Sequence, residues 1–337
     1  MTEIEVVTQP PSPSSPATVP MTRYVPIDIM RAANMLYIVG FWHLFQYTKI
    51  TIVYNPITFR MLIFVLALFV LISGFLLGHK NNCMTKTEIL NFYKTRFLRI
   101  YIPFLIASGL FLEAGLNHPL DLLKNITLTA MFLAPAPFTL WFVSMIFLFY
   151  LITPLLISLR RNALAYIASC VLIVIAMFLY QLTMGRMDMQ LIIYFPCFAA
   201  GLFMATRPFP SSLSSTIGLM VLTVVSLIPT LTLQSDKLAY NPWVAPWAFC
   251  GSITAFIAIM RAGQNLKPIP LVTWISEASF FMYLLHRLIY RLMRSLWFPS
   301  SEGWNIVYLL FICLPIVGVT AWLCQKGYNS LLQSRRA

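Results

Sequence analysis

The chain has 337 residues, of which 59% are hydrophobic and 10% charged, and its net charge is +13. A soluble domain carries nearer a quarter charged residues, and no core of this length hides so much apolar surface, so a soluble globule is excluded and a lipid-embedded chain is expected. The excess cations read as membrane topology and not as a nucleic-acid surface, because Lys and Arg collect on cytoplasmic loops and anionic leaflets and no basic-aromatic patch accompanies them.

Residues 1–22, rich in Pro, Ser and Thr, read as a disordered cytoplasmic tail with no cleavable signal. Ten apolar spans follow, near 29–48, 58–78, 98–116, 139–159, 163–182, 190–206, 214–233, 243–260, 271–296 and 305–325. Another run, 122–135, is interrupted by Lys124, Asn125 and the prolines at 135 and 137, and predicts a short or re-entrant helix. Such backbone is tolerated at depth only where protein or a wet cavity covers it. The fold class is therefore all-α: a polytopic membrane helical bundle of about ten transmembrane helices plus one short re-entrant helix. It forms one membrane domain over 23–328, with a short cytoplasmic tail at 329–337.

Charge sets the expected orientation. Lys80, Lys86, Lys94, Arg96 and Arg99 crowd the segment 79–99, which is then cytoplasmic. Arg160, Arg161, Arg207, Arg261, Lys267, Arg335 and Arg336 fall on the same side. Both termini are expected in the cytoplasm, and the loops near 117–125, 183–189, 234–242 and 297–304 outside. Six cysteines, Cys83, Cys170, Cys197, Cys250, Cys313 and Cys324, lie mostly within apolar runs and lack metal-ligand spacing. They read as small buried hydrophobes, and neither a metal nor a bound cofactor is expected.

Ionisable groups inside a bilayer are costly, and are functional or paired. That selects Asp28, Arg31, His43, Glu277, His286, Arg287, Arg291 and Arg294. Asp28 and Arg31 are spaced to share a helix face. His43 lies about 18 Å further along a straight helix. A neutral imidazole there can take a proton from a hydroxyl; a histidine bonded only for packing is the plain alternative. In the run Phe69 to Leu77, Gly74 permits close helix approach and Ser73 can bond across an interface, but Ser73 has no neighbouring base. Arg96 and Arg99, one turn apart at the cytoplasmic mouth, suit a phosphate-bearing ligand, with topological anchoring as the competing explanation.

Taken together and in order, these features resemble the acyltransferase-3 family: Asp28-x-x-Arg31 opening the first span, His43 deeper in it, Ser73-Gly74-Phe75, and Arg96-x-x-Arg99 before Tyr101-x-Pro103. Later stretches extend the resemblance to about residues 24–327: Leu140 to Ser144 with Tyr150 and Pro154, Tyr194 to Gly201, and Ser276 to His286. The resemblance implies an integral membrane O-acyltransferase, with acyl-CoA, usually acetyl-CoA, as donor from the cytoplasm. The implied acceptor is a hydroxyl of a bacterial envelope glycan or sugar lipid, reached at the inner membrane, with glycan-assembly proteins as possible partners. Arg31 and His43 match the family's essential pair, with Asp28 positioning Arg31. Arg96 and Arg99 match its donor-handling pair. Trp141, Tyr283 and His286 are expected on the acceptor side. The chain stops soon after the last span, so the membrane domain is expected to reach its acceptor alone or through a partner. A transporter or flippase would also account for the spans and buried charges, but explains an arginine pair coupled to one deep histidine less well. A non-catalytic scaffold is a weaker third reading.

One spacing departs from the family pattern. Eleven residues, not ten, separate Arg31 from His43. On an α-helix that turns the two side chains about 120° apart instead of about 20°. If both serve one site, the helix between them must carry a local irregularity. Gly40 is the expected place, because glycine tolerates distortion at least cost.

Overall fold

The computed structural model describes residues 24–80, 85–207, 213–232 and 243–334. The tail 1–22, Cys83, the loop 234–242, Arg335 and Arg336 lie outside the described residues. Every regular element among the described residues is a helix. The first, α1 (Val25–Met35), has a proline in its opening turn, where the missing N–H costs nothing. It continues without a break into a π-helical segment, Leu36–His43, and ends in a short turn, Phe45–Tyr47. Next come α2 (Pro56–Lys80), whose first amides are capped by Asn55 Oδ1, and α3 (Lys86–Arg96), opened by a Thr85–Glu88 capping box. A π-helical turn, Phe97–Tyr101, joins α3 to α4 (Ile102–Glu113). The chain then forms α5 (Pro119–Ile126), α6 (Trp141–Leu159), α7 (Ala163–Met184), α8 (Gln190–Met204), α9 (Leu213–Thr232), α10 (Val244–Ala262) and α11 (Pro270–Leu296). After α12 (Glu302–Tyr308), a third π turn (Leu309–Cys313) leads into α13 (Leu314–Ser334).

Each of the ten expected spans is helical, but only seven stretches among the described residues are long and apolar enough to cross a membrane. The other three fall short for different reasons. Val25–His43 carries Asp28, Arg31 and Asn34, Gln190–Met204 has only 15 residues, and Pro270–Leu296 carries Glu277 and three arginines. The expected helix at 122–135 is also shorter than its apolar run. It ends at Ile126, and the chain from Thr127 to Leu140 is irregular. Pro135 and Pro137 cannot donate to a helix, and Leu128 and Thr139 adopt φ of 58° and 66°. α5 is wired to its neighbours and to this irregular segment. Asn125 Nδ2 donates to Ser108 Oγ (3.0 Å), Ser144 Oγ donates to Asn125 Oδ1 (3.1 Å), and Lys124 Nζ donates to the Pro135 carbonyl (3.1 Å).

α2 is central. Of its most apolar window 67% is buried in protein, against 6% for α7 and for α9, which present their side chains outward. Between helices in lipid there is little hydrophobic drive, so close packing must come from small residues. Gly74 of α2 and Gly201 of α8 supply it. A methyl group on Gly74 would collide with the Phe198 carbonyl, and one on Gly201 with the Leu71 carbonyl. The expectation that Gly74 brings helices together is met, and α8 is the partner. Gly201→Val should lower the melting temperature of the purified protein, at a cost above the usual 1–3 kcal/mol of overpacking because backbone must move. Gly218→Ala, whose methyl meets nothing within 4 Å, is the control. Equal melting of the two variants would show that the α2–α8 contact yields.

Candidate active site

Both charged residues of the first helix meet α11. The two helices run in the same direction, because Asp28, Arg31 and His43 meet Ser276, Ser279 and His286 in that order. Ser276 Oγ donates to Asp28 Oδ1 at 2.6 Å, and Arg31 Nη2 donates to Ser279 Oγ at 2.8 Å. Further along, Tyr290 OH donates to the Val39 carbonyl at 3.1 Å. His43 reaches His286, with Nδ1 and Nε2 2.8 Å apart and ring planes 4° apart. On α11, Ser279 and His286 are seven residues apart and so share a face. Arg31 and His43 therefore address one face of one helix despite their eleven intervening residues.

The π-helical segment makes this possible. Its turns take one more residue than an α turn, so the extra residue is absorbed between Arg31 and His43. The irregularity expected near Gly40 is present and spans Leu36–His43. Gly40 is buried there, against the Leu314 side chain.

Hydrogen positions in the histidine pair follow from its partners. His286 is fully buried, and its Nδ1 lies 2.8 Å from the Tyr283 carbonyl and 3.2 Å from that of Met282. Carbonyls only accept, so His286 Nδ1 carries the proton. With both rings neutral, His286 Nε2 is then an acceptor, and His43 Nδ1 must donate to it. His43 Nε2 is left with its lone pair. The pair is a tautomer relay that begins at a backbone carbonyl and ends at a free nitrogen on the half-buried His43.

Below this pair lies a cavity of about 1120 Å³. Arg96 and Arg99 line it together with Arg31, Glu277, Tyr283 and Lys326. The Arg96 guanidinium stands 5.4 Å from the Phe92 ring centroid and 5.8 Å from that of Tyr150. The π turn that carries Arg99 is tied to α13 by a hydrogen bond from Tyr328 OH to the Leu98 carbonyl. Tyr283 stands between cavity and histidines. It lines the cavity, its hydroxyl donates to the Thr139 carbonyl, and its ring centroid is 5.8 Å from that of His286.

Of the residues singled out from sequence, the structure gathers Arg31, Arg96, Arg99 and Tyr283 around the cavity and places His43 with His286 beyond it. Asp28 sits behind Arg31 on Ser276. Trp141 stands outside the cavity, its ring 6.3 Å from Tyr194 and 5.7 Å from Phe142. Ser276 and Ser279 were not singled out as site residues. Their signal is that Ser276-x-x-Ser279 matches the spacing of Asp28-x-x-Arg31, so two polar pairs can meet in step.

Comparison with known proteins adds one finding. The model of an acyltransferase domain, that of the acyltransferase-3 family, matches residues 25–324. No curated protein and no solved structure matches the chain.

The π segment makes a structural prediction. Leu36 is 39% exposed and opens that segment, so deleting it costs little packing and leaves ten residues between Arg31 and His43. The variant should form a regular α-helix there, keep both contacts to α11, and melt within a few degrees of wild type. Loss of the His43–His286 contact in its structure would show that the π geometry does more than absorb a residue.

Proposed function

Because the chain belongs to the acyltransferase-3 family, we propose that it is an integral membrane O-acyltransferase. It moves an acyl group, by preference acetyl, from acyl-CoA to a hydroxyl of a cell-envelope glycan or sugar lipid. In this reading the chain crosses the bacterial cytoplasmic membrane with both termini inside, and the cavity bearing Arg96 and Arg99 opens to the cytoplasm. One observation carries the proposal. Arg31, at the cavity, and His43, beyond it, are held on a single face of α11 by Ser279 and His286.

The chemistry follows from these positions. Arg96 and Arg99 hold CoA phosphates through charge-assisted hydrogen bonds, and the acyl end points toward Arg31. His43 Nε2 takes the proton of the acceptor hydroxyl as its oxygen attacks the thioester carbonyl carbon. Arg31 stabilises the negative charge that develops on the carbonyl oxygen. The C–S bond then breaks, and the CoA thiolate leaves with the proton from His43. His286 is a positioning residue: it keeps the His43 proton on Nδ1, so that Nε2 stays free. Asp28 and Ser276 hold the base of the helix so that Arg31 is aimed. In this reading Trp141 and Tyr283 serve the acceptor side.

Two measurements on the protein in nanodiscs test this. His43→Ala should lower kcat for acyl transfer by about 10²–10⁴-fold, the range for general-base catalysis. His286→Ala should lower kcat with little change in KM for acyl-CoA. Full turnover by a well-folded His43→Ala protein would remove the histidine from the mechanism. Separately, joint Arg96→Ala and Arg99→Ala should weaken acyl-CoA binding about a hundredfold or more, from about 1.5–3 kcal/mol per charge-assisted bond. Unchanged donor affinity would reduce both arginines to topology anchors.

A further inference from the structure

Beyond His286, α11 carries three arginines that the reaction above does not use. Arg287, Arg291 and Arg294 fall within an arc of about 60° on the helix. Arg287 is 5% exposed. Its Nη2 donates to Gln46 Oε1 at 2.6 Å, and its guanidinium lies 4.1 Å from the Phe138 ring centroid. Its Nε is buried with no hydrogen-bond acceptor among the described residues. Arg291 and Arg294 are exposed, Arg291 over Gly115 and Arg294 5.1 Å from the Phe298 ring centroid. The Tyr47 hydroxyl hydrogen-bonds the Arg287 side chain and lies within electrostatic reach of Arg291 and Arg294. Among the described residues, no carboxylate pairs with any of them.

Neutral partners hold this row, but no counter-charge or topological preference accounts for it. A buried arginine without a counter-charge is costly in such surroundings. In the orientation set by the loop charges, this end of α11 faces away from the cytoplasm, where Lys and Arg are disfavoured. The row also starts beside the histidine pair. Arg287 follows His286 directly, and its partner Gln46 is three residues past His43. From Tyr283, at the cavity, to Arg291 is about 12 Å along α11, so this basic site is separate from the one formed by Arg96 and Arg99.

We infer that Arg287, Arg291 and Arg294 form an anion-binding row that receives an acceptor bearing a carboxylate or phosphate and brings its hydroxyl to His43. Guanidinium forks suit both groups, because each presents paired oxygens in one plane. The inference rests on the acyl-transfer reading and names the acceptor's chemical class. α11 then serves both substrates, with the donor's phosphates gripped near one end and the acceptor's charge near the other.

The test uses the full chain in phosphatidylcholine nanodiscs. Binding is measured for tetragalacturonate against neutral cellotetraose, and for glucose 1-phosphate against glucose. An Arg291→Gln, Arg294→Gln double variant is compared with wild type, and acetyl-CoA binding is measured in the same discs. Wild type should prefer at least one anionic probe by about tenfold, the factor one charge-assisted hydrogen bond supplies. The preference should shrink as salt rises. The double variant should lose it and keep acetyl-CoA affinity. Equal affinity of wild type for charged and neutral probes, or a preference that survives the double substitution, overturns the inference. So does a variant that loses only retention of added phosphatidylglycerol, which would make the row a lipid-headgroup anchor. Acetyl-CoA binding separates the two levels. Its absence in wild type removes the acyl-transfer reading itself; its presence without a sugar preference removes this inference alone.

Discussion

The contact between α1 and α11 sets the geometry of the site. In an interior without water, each unsatisfied polar group costs several kcal/mol. The first helix brings a carboxylate, a guanidinium, a backbone carbonyl of the π segment and an imidazole. α11 answers with Ser276, Ser279, Tyr290 and His286. A slip of one residue along either helix would break this set together. Apolar packing in lipid gives no such precision, since lipid tails solvate leucine as well as another helix does. The polar ladder is thus what fixes the register of the two helices.

From that register the rest of the site follows. Twelve residue steps on the first helix must span the rise between Ser279 and His286, and an α-helix of that length would turn His43 away. The π segment resolves the mismatch locally, at the cost of poorer helix geometry over Leu36–His43. The same contact chooses the histidine tautomer. His286 is pinned by its own helix's carbonyls, so the free nitrogen of the pair belongs to His43. A base with a defined lone pair therefore arises from helix packing, with no carboxylate bonded to it among the described residues.

The remaining helices position this pair. The Gly74–Gly201 contact presses α8 against α2. The irregular chain from Thr127 to Leu140 brings the Thr139 carbonyl to the Tyr283 hydroxyl, so that ring is held between cavity and histidines. The π turn at Phe97–Tyr101 and its bond to Tyr328 close α13 over the mouth where Arg96 and Arg99 stand. α7 and α9 are spectators to all of this, and their apolar faces look outward.

Sequence alone determined the properties that are local to a segment. Hydropathy depends on composition over about twenty residues, so the membrane class, the all-helical fold and the places of the apolar runs were legible, though the helix that holds the third run starts well before it, at Lys86. Angular arithmetic needs only the number of residues between Arg31 and His43, so the irregular helix was legible too. The ordered motifs pointed to the family. What lies some 240 residues apart was not legible. That His286 would bind His43, that Ser276 and Ser279 would hold Asp28 and Arg31, and that Trp141 would stand outside the cavity are outcomes of how helices pack. Only the tertiary structure decides which distant groups satisfy one another, since that choice minimises buried unpaired polarity over the whole bundle and not within any one helix.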